Sequence, residues 1–295
     1  MDTPTPTGPA PAPEERQAPL PDGRVLGYRE YGDPAGSPVV SCHGGLLCGL
    51  DAAGYDAAAR AATLRIISPD RPGLGASSPA PGRTTADWAT DVAALLDHLG
   101  IGEAAVLGWS MGGQYALACA ALVPDRVTRT VVVAGCLPLD DPDTFAQLNG
   151  MDRRLTRLAD KHPRVAHDVL GALGYVARHH PGAWAHLTER AAPPDEAAAL
   201  EALPDPGIAH AAAVALGSTD GMVEEYRAWA RPWGFTPEDV AGPVTVWQGG
   251  ADTLVPPAWG EALATRIPGA HLRAIADGGH FLAFTHTPGV IADLG

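Results

Sequence analysis

The chain has a single lysine, Lys161, only four cysteines and no long apolar run in its 295 residues. Each shortage excludes something. Arginine carries almost all of the positive charge, and the 20 basic residues stand against 34 acidic ones, for a net charge of −14 at pH 7. A field of that sign repels phosphate backbones and anionic lipid, so neither nucleic acid nor a membrane is expected as a partner. No apolar stretch reaches the roughly 18 residues that a membrane-spanning helix needs. The N-terminus lacks the basic and apolar regions of a secretory leader, so a cytoplasmic location is expected. Cys42, Cys48, Cys119 and Cys136 are too few for a disulfide scaffold and form no metal-type C-x-x-C pair. They read as small buried thiols in a reducing compartment. Apolar residues, in contrast, make up 46 % of the chain and charged ones only 18 %. That composition can bury a sizeable core, and the length admits one large domain or two ordinary ones.

Residues 1–22 are Pro-rich (TPTPTGPAPAPEERQAPLP) with little to anchor a core, and are expected to be a flexible tail. From Arg24 onward short apolar runs alternate with helical stretches. Strands are predicted at 25–31, 38–41, 65–68, 104–107, 127–134, 244–247 and 271–275, and helices at 85–99, 111–122 and 257–266. Such alternation means an α/β architecture, a mostly parallel central sheet flanked by helices on both faces. The stretch 138–239 breaks the rhythm. It reads as helices at 143–161, 164–179, 195–203, 208–216 and 221–230 without a strand pattern. It is expected to be an all-helical cap inserted after strand 6, over the edge where open α/β sheets place their ligand crevice. The core would then be 23–137 together with 240–295.

The sharpest local motif is Gly108-Trp109-Ser110-Met111-Gly112, continued by Gly113, between a predicted strand and a predicted helix. That is the context of a nucleophile elbow. A tight strand-to-helix turn strains the serine backbone, and flanking glycines avoid collisions of a Cβ with neighbouring chain. The turn lifts Ser110 Oγ into the crevice, and the following helix aims its free N–H groups at the same place. A serine hydroxyl needs a base, and the base an orienting acid. Asp252 follows the strand at 244–247 through a Gly-Gly turn. His280 lies on the loop Asp277-Gly278-Gly279-His280 after the next strand. Asp140, Asp141 and Asp239 compete with Asp252. Of the 11 histidines, only His280 combines a glycine-rich loop past a strand with this chain position.

Ser41-Cys42-His43-Gly44-Gly45 follows the strand at 38–41. A tetrahedral intermediate needs backbone N–H donors, each worth about 3–4 kcal/mol. Met111, after the nucleophile, and Gly45, in the H-G-G turn, are the expected donors. His43 precedes the serine and reads as a structural histidine holding the turn. Asp70-Arg71-Pro72-Gly73-Leu74-Gly75-Ala76-Ser77 reads as a turn packed near that loop, since no phosphate-binding spacing completes it. Tyr175, Trp184, Met222, Trp229 and Trp233 stud the helical insertion, where packing is the plain reading. An apolar roof over polar groups points to a small-molecule substrate with an apolar portion. Trp109, Leu46, Trp184 and Trp233 are the expected substrate contacts. No metal and no organic cofactor is called for, and a monomer or homodimer is expected.

Taken together, H-G-G after the third strand, D-R-P-G-L-G-A-S after the fourth, G-W-S-M-G-G, G-G-A-D-T-L-V-P and D-G-G-H resemble the α/β-hydrolase superfamily with a helical cap. The resemblance runs from about Arg24 to the end, apart from the cap. It implies a catalytic triad of Ser110, Asp252 and His280, with the amides of Gly45 and Met111 as oxyanion hole. Cap-bearing dehalogenases and epoxide hydrolases carry an aspartate where Ser110 stands, so those activities are not expected. Proline iminopeptidase relatives continue H-G-G-P-G, whereas Leu46 and Leu47 follow here. The expectation is a serine hydrolase acting on a carboxylic ester, lactone or thioester through an acyl-enzyme. Three alternatives stay open: a C–C bond hydrolase or lyase, a biosynthetic cyclase or acyltransferase on the same triad, and a ligand-binding protein that keeps it.

Overall fold

The structure, a computed structural model, describes residues 13–190, 192–203 and 207–295. The first twelve residues of the expected tail lie outside the described ones. The rest of that tail differs from expectation, because β1 (Arg16–Pro19) is a strand paired antiparallel with β2 (Val25–Gly32). Ala18 and Leu20 are buried beneath it, and Arg16 pairs with Glu30 at 2.7 Å. Four residues with an exposed, Pro-ending pattern carry no strand period, and proline is tolerated only because this is an edge.

The sheet continues with β3 (Ser37–Cys42), β4 (Leu64–Pro69), β5 (Ala104–Trp109), β6 (Val127–Val133), β7 (Val244–Gly249) and β8 (His271–Ile275). Its order is β1-β2-β4-β3-β5-β6-β7-β8, antiparallel at β1/β2 and β2/β4 and parallel elsewhere. Strands such as β5 (AAVLGW) are buried along their whole length, as both faces of a parallel sheet are covered. The chain leaves β3 through α1 (Asp56–Ala61) to β4. It then crosses back through α2 (Asp87–His98) to β5 and onward through α3 (Gly112–Leu122) to β6. The direction therefore reverses between the neighbours β3 and β5, and such a switch point opens a crevice at the strands' C-terminal ends. α3 lies almost wholly buried, from Gly112 to Ala120.

Between β6 and β7 come α4 (Pro142–Gln147), α5 (Gly150–Lys161), α6 (Pro163–His179), α7 (Pro181–Glu189), α8 (Pro194–Glu201), α9 (Ile208–Ala215) and α10 (Thr219–Ala230). After β7 follow α11 (Pro257–Arg266) and, past β8, α12 (Leu282–Thr285) and α13 (Thr287–Ala292). The helix expected over 143–161 is two helices. Asn149 Oδ1 accepts the amides of Met151 and Asp152 and starts α5 afresh, with Asp141 capping α4 through Thr144. α7 was absent from the sequence pattern. The four cysteines are free and buried.

Candidate active site

Ser110 sits between β5 and α3 with φ +55°, a left-handed conformation that a non-glycine residue adopts only under local constraint. Its amide donates to Val133 O at 2.8 Å, tying the turn to β6. The flanking glycines have steric causes. A Cβ on Gly112 would lie 2.0 Å from Cys42 O, and one on Gly108 would lie 2.5 Å from Gly112 O. The elbow is thus pressed against the end of β3.

Two further strand ends meet the elbow. The hydroxyl Ser110 Oγ lies 2.9 Å from His280 Nε2, and His280 Nδ1 lies 2.9 Å from Asp252 Oδ2. His280 and Asp252 are both buried. The other carboxylate oxygen, Asp252 Oδ1, accepts the amides of Leu254 and Val255 at 2.8 and 2.9 Å, which fixes the carboxylate plane. Trp109 donates its indole N–H to His280 O at 3.0 Å, so the elbow residue itself holds the histidine's main chain. The rival aspartates are engaged elsewhere: Asp141 caps α4, Asp239 forms a capping box with Thr236, and Asp140 is exposed.

On the other side of Ser110 runs the loop 43–45. Gly45 stands beside Met111, with its Cβ position 3.1 Å from Met111 Cε. Neither the Gly45 nor the Met111 amide is engaged by another described residue. His43 is fully buried, and burial together with the nearby Arg71 charge pushes its imidazole well below the usual range. Neutral His43 accepts the Arg71 amide at Nε2 (3.1 Å), which leaves Nδ1 to donate to Gly44 O at 3.0 Å. Arg71 also donates through its guanidinium to His43 O at 2.5 Å and Gly44 O at 3.0 Å. The turn containing Arg71 therefore braces this loop. Asp51 accepts the Gly44 amide at 3.0 Å, and its carboxyl is pushed up to about 7 by burial.

Ser110 and His280 open into a cavity of about 230 Å³ between the sheet edge and the helical insertion. Its wall is mainly apolar, with Leu148, Leu173, Leu187 and Ile208 from the insertion facing Leu254 and Phe281. Of the expected substrate contacts, Trp109, Leu46 and Trp184 line it. Trp233 does not: it packs on Phe235, and its carbonyl accepts the Ala86 amide at the start of α2. Trp233 follows the end of α10 in an irregular segment, so no helical spacing fixes which way its ring turns. One carboxylate of the insertion, Asp152, reaches the wall, where it accepts Tyr226 OH at 2.8 Å and the Asn149 amide group at 2.7 Å. No lysine or arginine lines the cavity among the described residues.

The alpha/beta hydrolase fold family model matches residues 37–168. Pimeloyl-[acyl-carrier protein] methyl ester esterase of Aromatoleum aromaticum is 32 % identical over 228 residues, which is 76 % of this chain and 84 % of that protein. The chain belongs to the α/β-hydrolase family. A second relative is the dihydrolipoyllysine-residue acetyltransferase component of the acetoin cleaving system of Pseudomonas putida. It is 39 % identical over 129 residues, covering 41 % of this chain and only 34 % of that protein. Among solved structures, the enol-lactonase from Burkholderia xenovorans LB400 superposes with a TM-score of 0.72 at 22 % identity, covering 95 % and 99 % of the two chains. That last likeness shows the fold. This α/β-hydrolase is an enzyme of the hydrolase type. Among its described residues no helix is long and apolar enough to cross a membrane, and no group of three His, Cys, Asp or Glu could hold a metal ion.

Residues that the sequence reading passed over tie the insertion to these loops. Glu225, on α10 and fully buried, pairs with Arg71 at 2.5 Å and with Arg83. Those two guanidinium groups hold its carboxyl down at about 2, against the raising effect of burial. Glu196, on α8, accepts the amides of Gly279 and Phe281. Burial pushes its carboxyl above the usual range, and the two amide hydrogen bonds pull it back. A lone Glu on an insertion helix carries no local mark of either contact.

Proposed function

We propose that this α/β-hydrolase is a serine hydrolase cleaving a small ester-like substrate (a carboxylic ester, lactone or thioester) through an acyl-enzyme. The observation that carries the reading is the unbroken hydrogen-bonded line from Ser110 Oγ through the His280 imidazole to Asp252, at 2.9 Å for each link, on the floor of an apolar cavity. Nucleophile, base and orienting acid stand in reach of one another before any substrate arrives.

In the mechanism, Ser110 Oγ attacks the carbonyl carbon as His280 Nε2 takes its proton. Asp252 holds the Nδ1–H tautomer and stabilises the imidazolium. The carbonyl oxygen, now negative, points to the Gly45 and Met111 amides, which have no other described partner. As the tetrahedral intermediate collapses, the bond to the leaving oxygen or sulfur breaks and His280 passes its proton to that group. Water then adds to the acyl-enzyme, giving its proton to His280. The second collapse frees the carboxylic acid and returns the proton to Ser110 Oγ.

The cavity supports a small, largely apolar substrate. At about 230 Å³ it falls below the roughly 300–1,000 Å³ of drug-sized pockets. Leu46, Trp109 and Trp184 would meet the acyl or alkyl part. The esterase named above acts, by its name, on a methyl ester, which is in keeping with this class. The test is labelling by a fluorophosphonate together with turnover of short-chain p-nitrophenyl esters. Ser110→Ala is expected to abolish labelling and lower kcat by about three orders of magnitude or more, with the thermal transition unchanged. Turnover near wild type in that variant would refute the assignment.

A further inference from the structure

We propose that Glu196 is a positioning residue that fixes the His280 imidazole in line with Ser110 by gripping the main chain on both sides of it. The inference deepens the serine-hydrolase reading and rests on it. One carboxylate oxygen, Oε1, accepts the Gly279 amide at 2.6 Å, and the other, Oε2, accepts the Phe281 amide at 2.8 Å. Residues 279 and 281 bracket His280, so a single side chain sets the position of the peptide units from which the imidazole projects. Glu196 is 2 % exposed, and no cation pairs with it among the described residues. A buried carboxylate without a cation is costly unless its oxygens are satisfied, and here main-chain amides of the histidine loop satisfy it.

The fit is close. A Cβ on Gly279 would lie 2.4 Å from Pro193 Cδ and 2.6 Å from Glu196 Oε2, so glycine is what lets the loop settle against the start of α8. The contact also closes a ring around the imidazole. Trp109 holds the carbonyl of residue 280, Asp252 holds Nδ1, and Glu196 holds the amides before and after. Two of these three come from the sheet edge. Only the third comes from the insertion, which also roofs the cavity, so the geometry of the base depends on the seating of that roof.

The experiment compares Glu196→Ala and the near-isosteric Glu196→Gln with the wild type by steady-state kinetics on a short-chain p-nitrophenyl ester and by thermal unfolding. For Ala, kcat is expected to fall about tenfold to a hundredfold, the loss typical of a misplacement near one ångström, while KM stays within about threefold. Gln keeps one acceptor oxygen and presents an NH2 group to the other amide, so its kcat should lie between Ala and wild type. Unchanged kcat in both variants overturns the proposal. So does a loss carried by KM, with Gln no better than Ala, since that pattern reports only a disturbed cavity wall. Should Ala fail to fold, Gln alone decides on the same criterion. If the wild type neither takes the fluorophosphonate label nor turns over any ester, the serine-hydrolase reading fails. The grip is then decided by hydrogen exchange: selective loss of protection at the Gly279 and Phe281 amides in Glu196→Gln supports it, and unchanged protection overturns it.

Discussion

Replacing Glu225 by Gln removes one charge from a buried cluster. Glu225 and Arg71 have no exposed surface, and Arg83 is 6 % exposed. With the carboxylate gone, two guanidinium ions stay in the interior without an acidic partner, a change that costs about 3–5 kcal/mol in buried pairs. A second route gives a similar figure. The folded carboxyl titrates at about 2 against an ordinary 4.5, and a displacement of that size is linked to about 3 kcal/mol of stability. We place the loss near the lower value, because Arg71 keeps the His43 and Gly44 carbonyls and lies 4.6 Å over the Tyr115 ring. For a chain of this length the melting temperature should drop by about 5 °C at pH 7. The pH dependence has a definite sign. A depressed carboxyl contributes stability that is fully present above its unfolded value of 4.5 and disappears as pH falls through about 2. Urea midpoints of wild type and Glu225→Gln should therefore differ most at neutral pH and converge on acidification from 4.5 toward 2. A melting temperature within about 1 °C of wild type, or a gap that does not narrow in acid, would refute the reasoning.

Gly112→Ala drives a methyl group to within 2.0 Å of Cys42 O, so the elbow and the end of β3 must part. A loss of about 1–3 kcal/mol in urea unfolding, with slower fluorophosphonate labelling of Ser110, is expected; unchanged unfolding would show that the close approach is not maintained in solution. The cavity wall holds Asp152 and no lysine or arginine among the described residues, so a monomethyl ester bearing a free carboxylate should be cleaved at least about tenfold less efficiently than the dimethyl ester of equal length. Asp152→Asn, which can still accept from Tyr226, should narrow that ratio, and an equal kcat/KM for the two esters in wild type would sink the idea.

Which parts of this were legible before the structure follows from how local the physics is. The elbow was readable because the conformation of Ser110 needs small neighbours within two residues of it. The strand-loop positions of Asp252 and His280 were readable because each follows a short strand pattern and a glycine pair. Where the determinant was remote, the sequence was mute. β1 owes its existence to pairing with β2, since its four residues have no pattern of their own. The break between α4 and α5 was written locally, in Asn149-Gly150, but the apolar spacing across it mimics one continuous helix. Trp233 lies past the end of α10, where no helical spacing orients a side chain, so membership of the insertion alone does not say whether its ring meets the cavity or Phe235.

The same distinction accounts for the two carboxylates that no motif announces. Glu196 contacts a residue 83 positions away and Glu225 one 154 positions away, so only the packing of the insertion brings them to their partners. Among the described residues they are the two buried acids of the insertion, and neither lines the cavity. For packing alone an apolar side chain would serve as well or better at such positions, because burying an ion costs more than it returns unless every oxygen is met. Their oxygens are met by groups that belong to, or hold, the loops on either side of Ser110: the amides around His280 for Glu196, and, for Glu225, the Arg71 that grips the carbonyls of residues 43 and 44. A roof of purely apolar helices could slide over the sheet edge with little penalty. With these two carboxylates it registers against both loops at once, so the position of the roof and the geometry beneath it are set by the same contacts.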